Sequence, residues 1–250
     1  MIYLKTKEEI KIIAKAGKIA AAVMKEVAKN IRPGAKVSDL DKIAEKKTRS
    51  LQAEPSFQKV AGYRHSTCIT PNDFVVHGIP GDYILCEGDI LGVDLGTYYQ
   101  GFHSDMAQTF PVGKVSQEKK QFLLAGEKAL TEAIKQAHVG GRVGDISYAI
   151  QTIIEGANYS VVRELSGHGV GRKLHEDPLI PGRGRRGSGE KIKEGMVLAI
   201  EVIYNMGKPS IRLLPDGWTI ATADASLSGL FERTVAVTDK GPLVLTKVVA

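Results

Sequence analysis

An α+β fold made of two similar halves is what this sequence predicts, and three observations predict it. Four segments carry apolar residues at helical spacing, β-type runs lie between them, and the order helix, helix, strands occurs twice. Short matches accompany that repetition: Ala16-Gly17 with Ala125-Gly126, Pro33-Gly-Ala-Lys-Val-Ser-Asp-Leu40 with Val139-Gly-Gly-Arg-Val-Gly-Asp-Ile146, and Glu87-Gly-Asp-Ile-Leu-Gly-Val-Asp94 with Glu194-Gly-Met-Val-Leu-Ala-Ile-Glu201. Their offsets are 109, 106 and 107 residues, in order along the chain, which unrelated matches would not keep. Strands of both halves should share one sheet region covered by helices.

Thr6-Lys-Glu-Glu9 reads as a capping box, and Ile13, Ala16, Ala20, Val23 and Val27 follow on one helical face; the helix should stop before Pro33-Gly34. A second helix is expected from Ser38, with Asp41 three residues on, to about Glu54 before Pro55. Residues 89 to 98 and 103 to 111 read as strands around a turn at Tyr99-Gln100-Gly101. A third helix is expected from Ser116 to about Ala137, and a fourth from Asp145 to Glu155, closed by Gly156.

At 250 residues, 43% hydrophobic and 25% charged, the chain has the composition of a soluble globular protein with a substantial core, which excludes a disordered tail, a collagen-like fibre and a membrane bundle. No apolar run is long enough to cross a bilayer, and Met1-Ile2-Tyr3-Leu4 leads into a Lys-rich amphipathic segment, so neither membrane attachment nor a signal peptide is expected. The two cysteines, Cys68 and Cys86, are expected to be small buried hydrophobes in a reducing cytosol, consistent with a cytoplasmic location. The net charge of +6 favours approach to polyanions, and Gly182-Arg-Gly-Arg-Arg-Gly187 concentrates positive charge in a loop. That loop is a literal GxGxxG, but it follows Pro178 and Pro181 rather than a strand and no helix is expected after it, so it reads as a basic surface loop.

Asp94 and Glu201 hold the same place in the two halves, each an acid at the end of an apolar strand, where it needs a partner. If the hairpin is centred on Tyr99-Gln100, Asp94 faces Asp105 directly, and two opposed carboxylates make sense if they share protons or cations. His168 lies between glycines in Ser166-Gly-His-Gly-Val-Gly171, His175 lies seven residues on, and Glu232 occupies in the second half the place of Asp105. Asp94, Asp105, His168, Glu201 and Glu232 together carry four negative charges, which two divalent cations neutralise and one does not. The oxygen-rich set suits Mn, Fe(II), Co or Zn in a bridged pair, and such a pair suits hydrolysis by a metal-bound hydroxide.

These residues stand in a recognisable order: Asn72-Asp-Phe-Val-Val-His77-Gly-Ile-Pro80, Asp94 with Asp105, Gly167-His168-Gly-Val-Gly171 with His175-Glu176, Ala199-Ile-Glu201, and Phe231-Glu232-Arg-Thr-Val235. In these motifs the chain closely resembles the methionine aminopeptidases of the short bacterial, type I class, from about Thr6 to the last strand. The resemblance implies a pita-bread fold forming a single catalytic domain over 1–250, with pseudo-repeat halves of about 6–112 and 116–250 and a dinuclear metal centre between them. It implies that Asp105 and Glu232 bridge the ions, that Asp94 completes one site, and that His168 and Glu201 complete the other. His77 and His175 would contact substrate and the developing tetrahedral intermediate, with Tyr63, Cys68 and Trp218 as pocket walls. The activity implied is removal of N-terminal methionine from nascent proteins and peptides whose second residue is small, by a cytoplasmic monomer. Separately, the net charge of +6 and the Arg183, Arg185 and Arg186 loop lead to an expectation of weak, salt-sensitive association with ribosomes.

Four departures from the family pattern stand out: Val202 where proline is common, Arg233 where histidine is common, a segment Gly62–Cys68 about two residues shorter, and Leu174 where an aromatic is common. The first two should leave the metals intact, and the last two should reshape the methionine pocket. Proline-directed relatives carry an added N-terminal domain for which the helix at Thr6 leaves no room, and the type II class carries an insertion that the 33 residues from His168 to Glu201 do not contain. A non-catalytic relative that binds RNA would be expected to have lost ligands, and all five are present.

Overall fold

Thr6 starts the first helix as a capping box requires: its hydroxyl accepts from Glu9 N–H at 3.2 Å, and the Glu9 carboxylate accepts from Thr6 N–H at 2.8 Å. In the computed structural model, which describes residues 1–247, α1 runs Lys7–Ala28 and α2 runs Val37–Ser50. The strands β1 (Glu54–Pro55), β2 (Thr67–Pro71), β3 (Phe74–Val76), β4 (Ile90–Tyr99) and β5 (Phe102–Pro111) follow. The helices α3 (Gln117–Lys135) and α4 (Val143–Gly156) open the second half. Eight strands complete it: β6 (Ser160–Val161), β7 (Ser166–Gly169), β8 (Glu176–Pro181), β9 (Val197–Asn205), β10 (Ile211–Leu213), β11 (Ile220–Thr222), β12 (Ser228–Thr238) and β13 (Gly241–Val244).

The second and fourth helices begin earlier than their sequences suggest, and for one reason. Val37 and Ser38 N–H groups donate to the Tyr83 and Gly81 carbonyls at 3.0 Å each, so Ser38 sits inside α2 rather than capping it. Val143 and Gly144 donate in the same way to Glu190 and Ser188, at 3.0 and 2.9 Å. The carbonyls of a distant loop thus replace the side-chain cap. Gly34 to Leu85 and Leu85 to Ala35 bonds recur as Gly140 to Ile192 and Ile192 to Gly141, so the repeat holds in hydrogen bonding as well as in sequence. At the far ends, α2 stops at Ser50 because Glu54 and Pro55 pair with β4, and the left-handed residue after α4 is Asn158 (φ 62°) rather than Gly156.

A ten-stranded sheet has the path β1-β4-β5-β12-β9-β7-β8, every pairing antiparallel, with β2, β6 and β13 on its flanks. One face of it is apolar: Leu91, Val93, Leu95 and Met106 pack with α1 and α2, while Leu198, Ile200, Val202, Tyr204, Phe231 and Val235 pack with α3 and α4. The Ala-Gly matches mark where a helix lies closest. A Cβ on Gly126 would stand 2.5 Å from the Phe231 ring, and one on Gly17 would stand 2.4 Å from the Leu245 carbonyl oxygen. The halves meet where β5 pairs with β12 at Ala107↔Glu232 and Met106↔Arg233. Two threonines extend this short seam: Thr109 Oγ1 bridges to Leu230 and Thr234 Oγ1 to Asp105, each serving one backbone N–H and one carbonyl at 2.7–2.9 Å.

Two expectations need correction. The β4–β5 turn is Gln100-Gly101, both with positive φ (47° and 88°), as a tight two-residue hairpin demands. Asp94 therefore pairs with Ala107 and Asp105 with Gly96, so the two acids are diagonal neighbours rather than directly opposed. The register differs by two residues, which leaves both carboxylates on one face. Cys68 is buried, but Cys86 is exposed, because it lies in the turn before β4, where Asp89 holds its backbone N–H at 2.8 Å.

Candidate active site

One line across four adjacent strands reads Asp94↔Ala107↔Glu232↔Glu201. Partners in register share a face, and residues two apart on a strand share it too. Asp105 is two residues from Ala107, and His168 pairs with Ala199, two residues from Glu201. All five side chains therefore stand on the face opposite the apolar one, at strand spacings of about 4.8 Å. Ligand atoms of Asp105, His168 and Glu232, all three buried, lie within 4.8 Å of one another, and His168 Nε2 is 4.0 Å from both Asp105 Oδ2 and Glu201 Oε1.

The electrostatics of this face fit a cation. Burial pushes all four carboxyls upward, Asp105 to about 7 and Glu201 to about 8, with Asp94 and Glu232 well above their ordinary range. The neighbouring Asp105 charge adds to burial at Asp94, Glu201 and Glu232. Asp94 Oδ1 and Glu232 Oε1 are buried with no hydrogen-bond partner among the described residues, a state costly for a carboxylate unless an ion takes the lone pairs. His168 Nδ1 lies 2.9 Å from the Gly169 carbonyl, which sets that nitrogen as the N–H and turns the Nε2 lone pair toward the carboxylates. Burial, followed by the nearby His175, lowers the His168 pKa to about 4, so the imidazole is neutral and able to ligate.

Above the carboxylates lies a cavity of about 150 Å³ lined by Phe57, Val60, Tyr63, Cys68, Val76, Leu174 and Trp218, with His77 and His175 beside the five acidic-face residues. The structure thus gathers His77, His175, Tyr63, Cys68, Trp218 and the five acidic-face residues into one place. His168 and His175 belong to two strand-loop segments rather than one regular element, and their rings meet edge to face with centroids 4.5 Å apart. His77 is in the left-handed region (φ 57°), a strained conformation for a non-glycine residue. The next residue, Gly78, has no room for a side chain: its Cβ would fall 2.2 Å from the Ile69 carbonyl oxygen. Burial lowers the pKa of His77, with His175 adding to it, and burial lowers that of His175, so each ring is neutral with one N–H to donate.

Phe57, Val60 and Val76 were missed in the sequence. Phe57 sits in a single 3-10 turn and Val60 in a loop, where no periodicity marks a wall. The 62–68 segment is held by Asp41 of α2, whose Oδ1 accepts from Ser66 N–H, Thr67 N–H and the Thr67 hydroxyl at 2.8–2.9 Å. Tyr63 then donates to the Thr67 carbonyl at 2.8 Å and meets Trp218 edge to face at 5.1 Å. Leu174 is buried against Phe57, Tyr63 and Cys68, so the aliphatic substitution fills part of the wall. Arg233 turns away from the acids: it donates to the Ala107 and Glu232 carbonyls and to Gln108 Oε1 at 2.7–2.9 Å, fastening β12 to β5. The GxGxxG loop opens no helix and packs on α4, with Asp145 accepting from Gly187 N–H at 2.8 Å.

The model of metallopeptidase family M24 matches residues 11–239. The chain is 45% identical over 246 residues to the methionine aminopeptidase of Clostridium perfringens (strain 13 / Type A), covering 98% of this chain and 99% of that one. It is 44% identical over 248 residues to methionine aminopeptidase 1 of Bacillus subtilis (strain 168), covering 99% and 100%. Among solved structures, methionine aminopeptidase from Thermotoga maritima matches with a TM-score of 0.97 at 40% identity, covering 99% of this chain and 100% of that one.

Proposed function

The chain belongs to metallopeptidase family M24, and from that premise we propose that it removes the N-terminal methionine of peptides and nascent proteins, using the five-residue face as a dinuclear metal centre. The observation that supports it most is the stacking of an apolar cavity directly on a buried face of four carboxylates and one imidazole. Asp105 and Glu232 stand on the two strands that meet at the seam, and by the family resemblance they would be the carboxylates shared by the two divalent ions. Asp94 would complete one site, and His168 with Glu201 would complete the other. When bound, such ions supply a nucleophile from water at neutral pH and polarise the scissile carbonyl.

The remaining residues receive and orient the substrate. The walls Phe57, Tyr63, Cys68, Leu174 and Trp218 enclose an apolar side chain, as methionine requires. His77 and His175, neutral and at the same cavity, donate N–H groups to the substrate and to the oxyanion as charge develops there. A second residue that crowds these histidines displaces the scissile bond, so a small neighbour is required.

We assign residues 1–250 to a single catalytic domain with halves of about 6–112 and 116–250; Val248, Val249 and Ala250 lie outside the described residues. The metal is Co, Mn, Fe(II) or Zn. Among the described residues no helix is long and apolar enough to cross a membrane. A cytoplasmic monomer is the state we assign. Weak, salt-sensitive ribosome contact is assigned to the exposed Arg183, Arg185 and Arg186; co-sedimentation unchanged by their replacement with Ala would remove that assignment. The test of the activity is methionine release from Met-Ala-Ser and Met-Ile-Ser with each metal added singly to chelated protein. Release from the first, about a hundredfold slower from the second, is expected. Equal turnover of the two, or faster leucine than methionine release from matched peptides, contradicts it.

A further inference from the structure

Lys5 and Glu176 form an ion pair at 2.6 Å whose side chains are only 4% and 3% exposed. Charges so deeply buried are costly, and their value is directional rather than adhesive. Glu176 directly follows His175, at the point where the loop from β7 enters β8. Its two oxygens do different work: Oε2 takes the Lys5 ammonium, and Oε1 accepts the Lys173 N–H at 3.0 Å, closing the turn that carries His175. The loop also packs on the pair at its start, since a Cβ on Gly171 would stand 2.5 Å from Lys5 Cε and 3.0 Å from Glu176 Oε1. Lys5 itself is fixed, donating through its backbone to the Gly195 carbonyl at 2.7 Å and through Nζ to the Tyr3 carbonyl at 3.1 Å. In the first turn of α1, Glu9 holds Arg172 at 2.7 Å, so Lys5 just before the helix and Glu9 within it grip the loop on both sides of the imidazole.

We propose that the buried Lys5–Glu176 pair positions His175, setting the loop that aims its imidazole into the cavity and so governing turnover without touching substrate. This rests on the assignment of His175 to the reacting carbonyl. Misplacement by about an ångström costs on the order of a hundredfold in rate, which a loop released from its anchor supplies readily.

The experiment compares Lys5→Met, Lys5→Arg and His175→Ala, and combines Lys5→Met with His175→Ala, each loaded with the same metal and assayed on Met-Ala-Ser. Lys5→Met should lower kcat about 10- to 100-fold with KM within about twofold and metal content unchanged, and Lys5→Arg should recover most of the loss. In the His175→Ala background, Lys5→Met should add little, because the group it positions is gone. Where Lys5→Met leaves Glu176 unpaired and the chain fails to fold, Lys5→Met with Glu176→Leu removes both charges and should fold while kcat stays low. An equal fold-loss in both backgrounds, or wild-type kcat in the variant lacking both charges, overturns the proposal. Wild-type kcat in His175→Ala alone would instead overturn the catalytic assignment, a separately readable failure.

Discussion

Asp94, Asp105, His168, Glu201 and Glu232 stand on five strands of one sheet, whereas Phe57, Val60, Tyr63, Leu174, Trp218, His77 and His175 reach the same cavity from segments outside that sheet. The floor is positioned by register: one line of paired residues places three acids, and the two-residue period places Asp105 and His168. The wall is positioned by side chains and turns, such as Asp41 under the 62–68 segment and Asp216 under Trp218, whose backbone N–H it accepts at 2.9 Å. The difference separates two tasks. Chemistry needs charges fixed to a fraction of an ångström, which a sheet supplies, while selectivity needs a surface that can be altered without disturbing them.

If that separation holds, damage to the floor should abolish turnover and release metal, loss of a cavity histidine should slow turnover with metal kept, and damage to the apolar wall should alter binding. The largest effect is expected at the seam: Asp105→Asn or Glu232→Gln should cost at least about a thousandfold in kcat and release metal, because an amide cannot carry the bridging charge. Metal analysis alongside kinetics checks this, and a variant retaining both ions and near-normal turnover would break the distinction. His175→Ala comes next, with about a 100- to 1,000-fold loss in kcat, the size seen when an oxyanion donor is removed, and metal content unchanged. Metal loss in that variant would move His175 from the wall to the floor.

Trp218→Ala should do the reverse of a floor mutation, raising KM for Met-Ala-Ser about tenfold while kcat stays within about threefold, since the ring contributes binding shared by ground and transition states. A fall in kcat with unchanged KM would show that the apolar wall also sets the reacting geometry.

The smallest effect concerns stability. In metal-free protein, burial raises Asp105 from 3.8 to about 7 and Glu201 from 4.5 to about 8. A raised carboxyl contributes stability that is complete below its unfolded value and lost as pH rises through its folded value. The Tm of chelated protein should therefore fall from about pH 4 to about pH 8, and added metal should raise Tm more at the upper end. A flat profile would mean that these acids are not the buried group described.

Much of the floor could be read from the sequence, because repeat and strand parity are written in side chains: Asp94 and Glu201 end matching apolar runs, and Glu232 lies in a β-type run. The register that sets Asp94 and Asp105 diagonally could not, since it turns on whether Gln100 accepts a positive φ. Nor could the starts of α2 and α4, whose N–H groups are met by carbonyls some 45 residues away. The walls were legible only in part. Tyr63, Cys68 and Trp218 followed from the resemblance, but Phe57 and Val60 take their places from a 3-10 turn and a loop that no apolar period marks. Lys5 reads in sequence as one more lysine of a Lys-rich start, and its burial depends on an acid 171 residues away.

Calorimetric titration of chelated protein with Mn(II), with methionine release from Met-Ala-Ser measured at each point, tests the central claim most directly. Two ions bound per chain, with activity absent at the start and rising as they bind, is the predicted result. Full activity with a single ion and no second site, or activity undiminished in the chelated protein, would contradict the account.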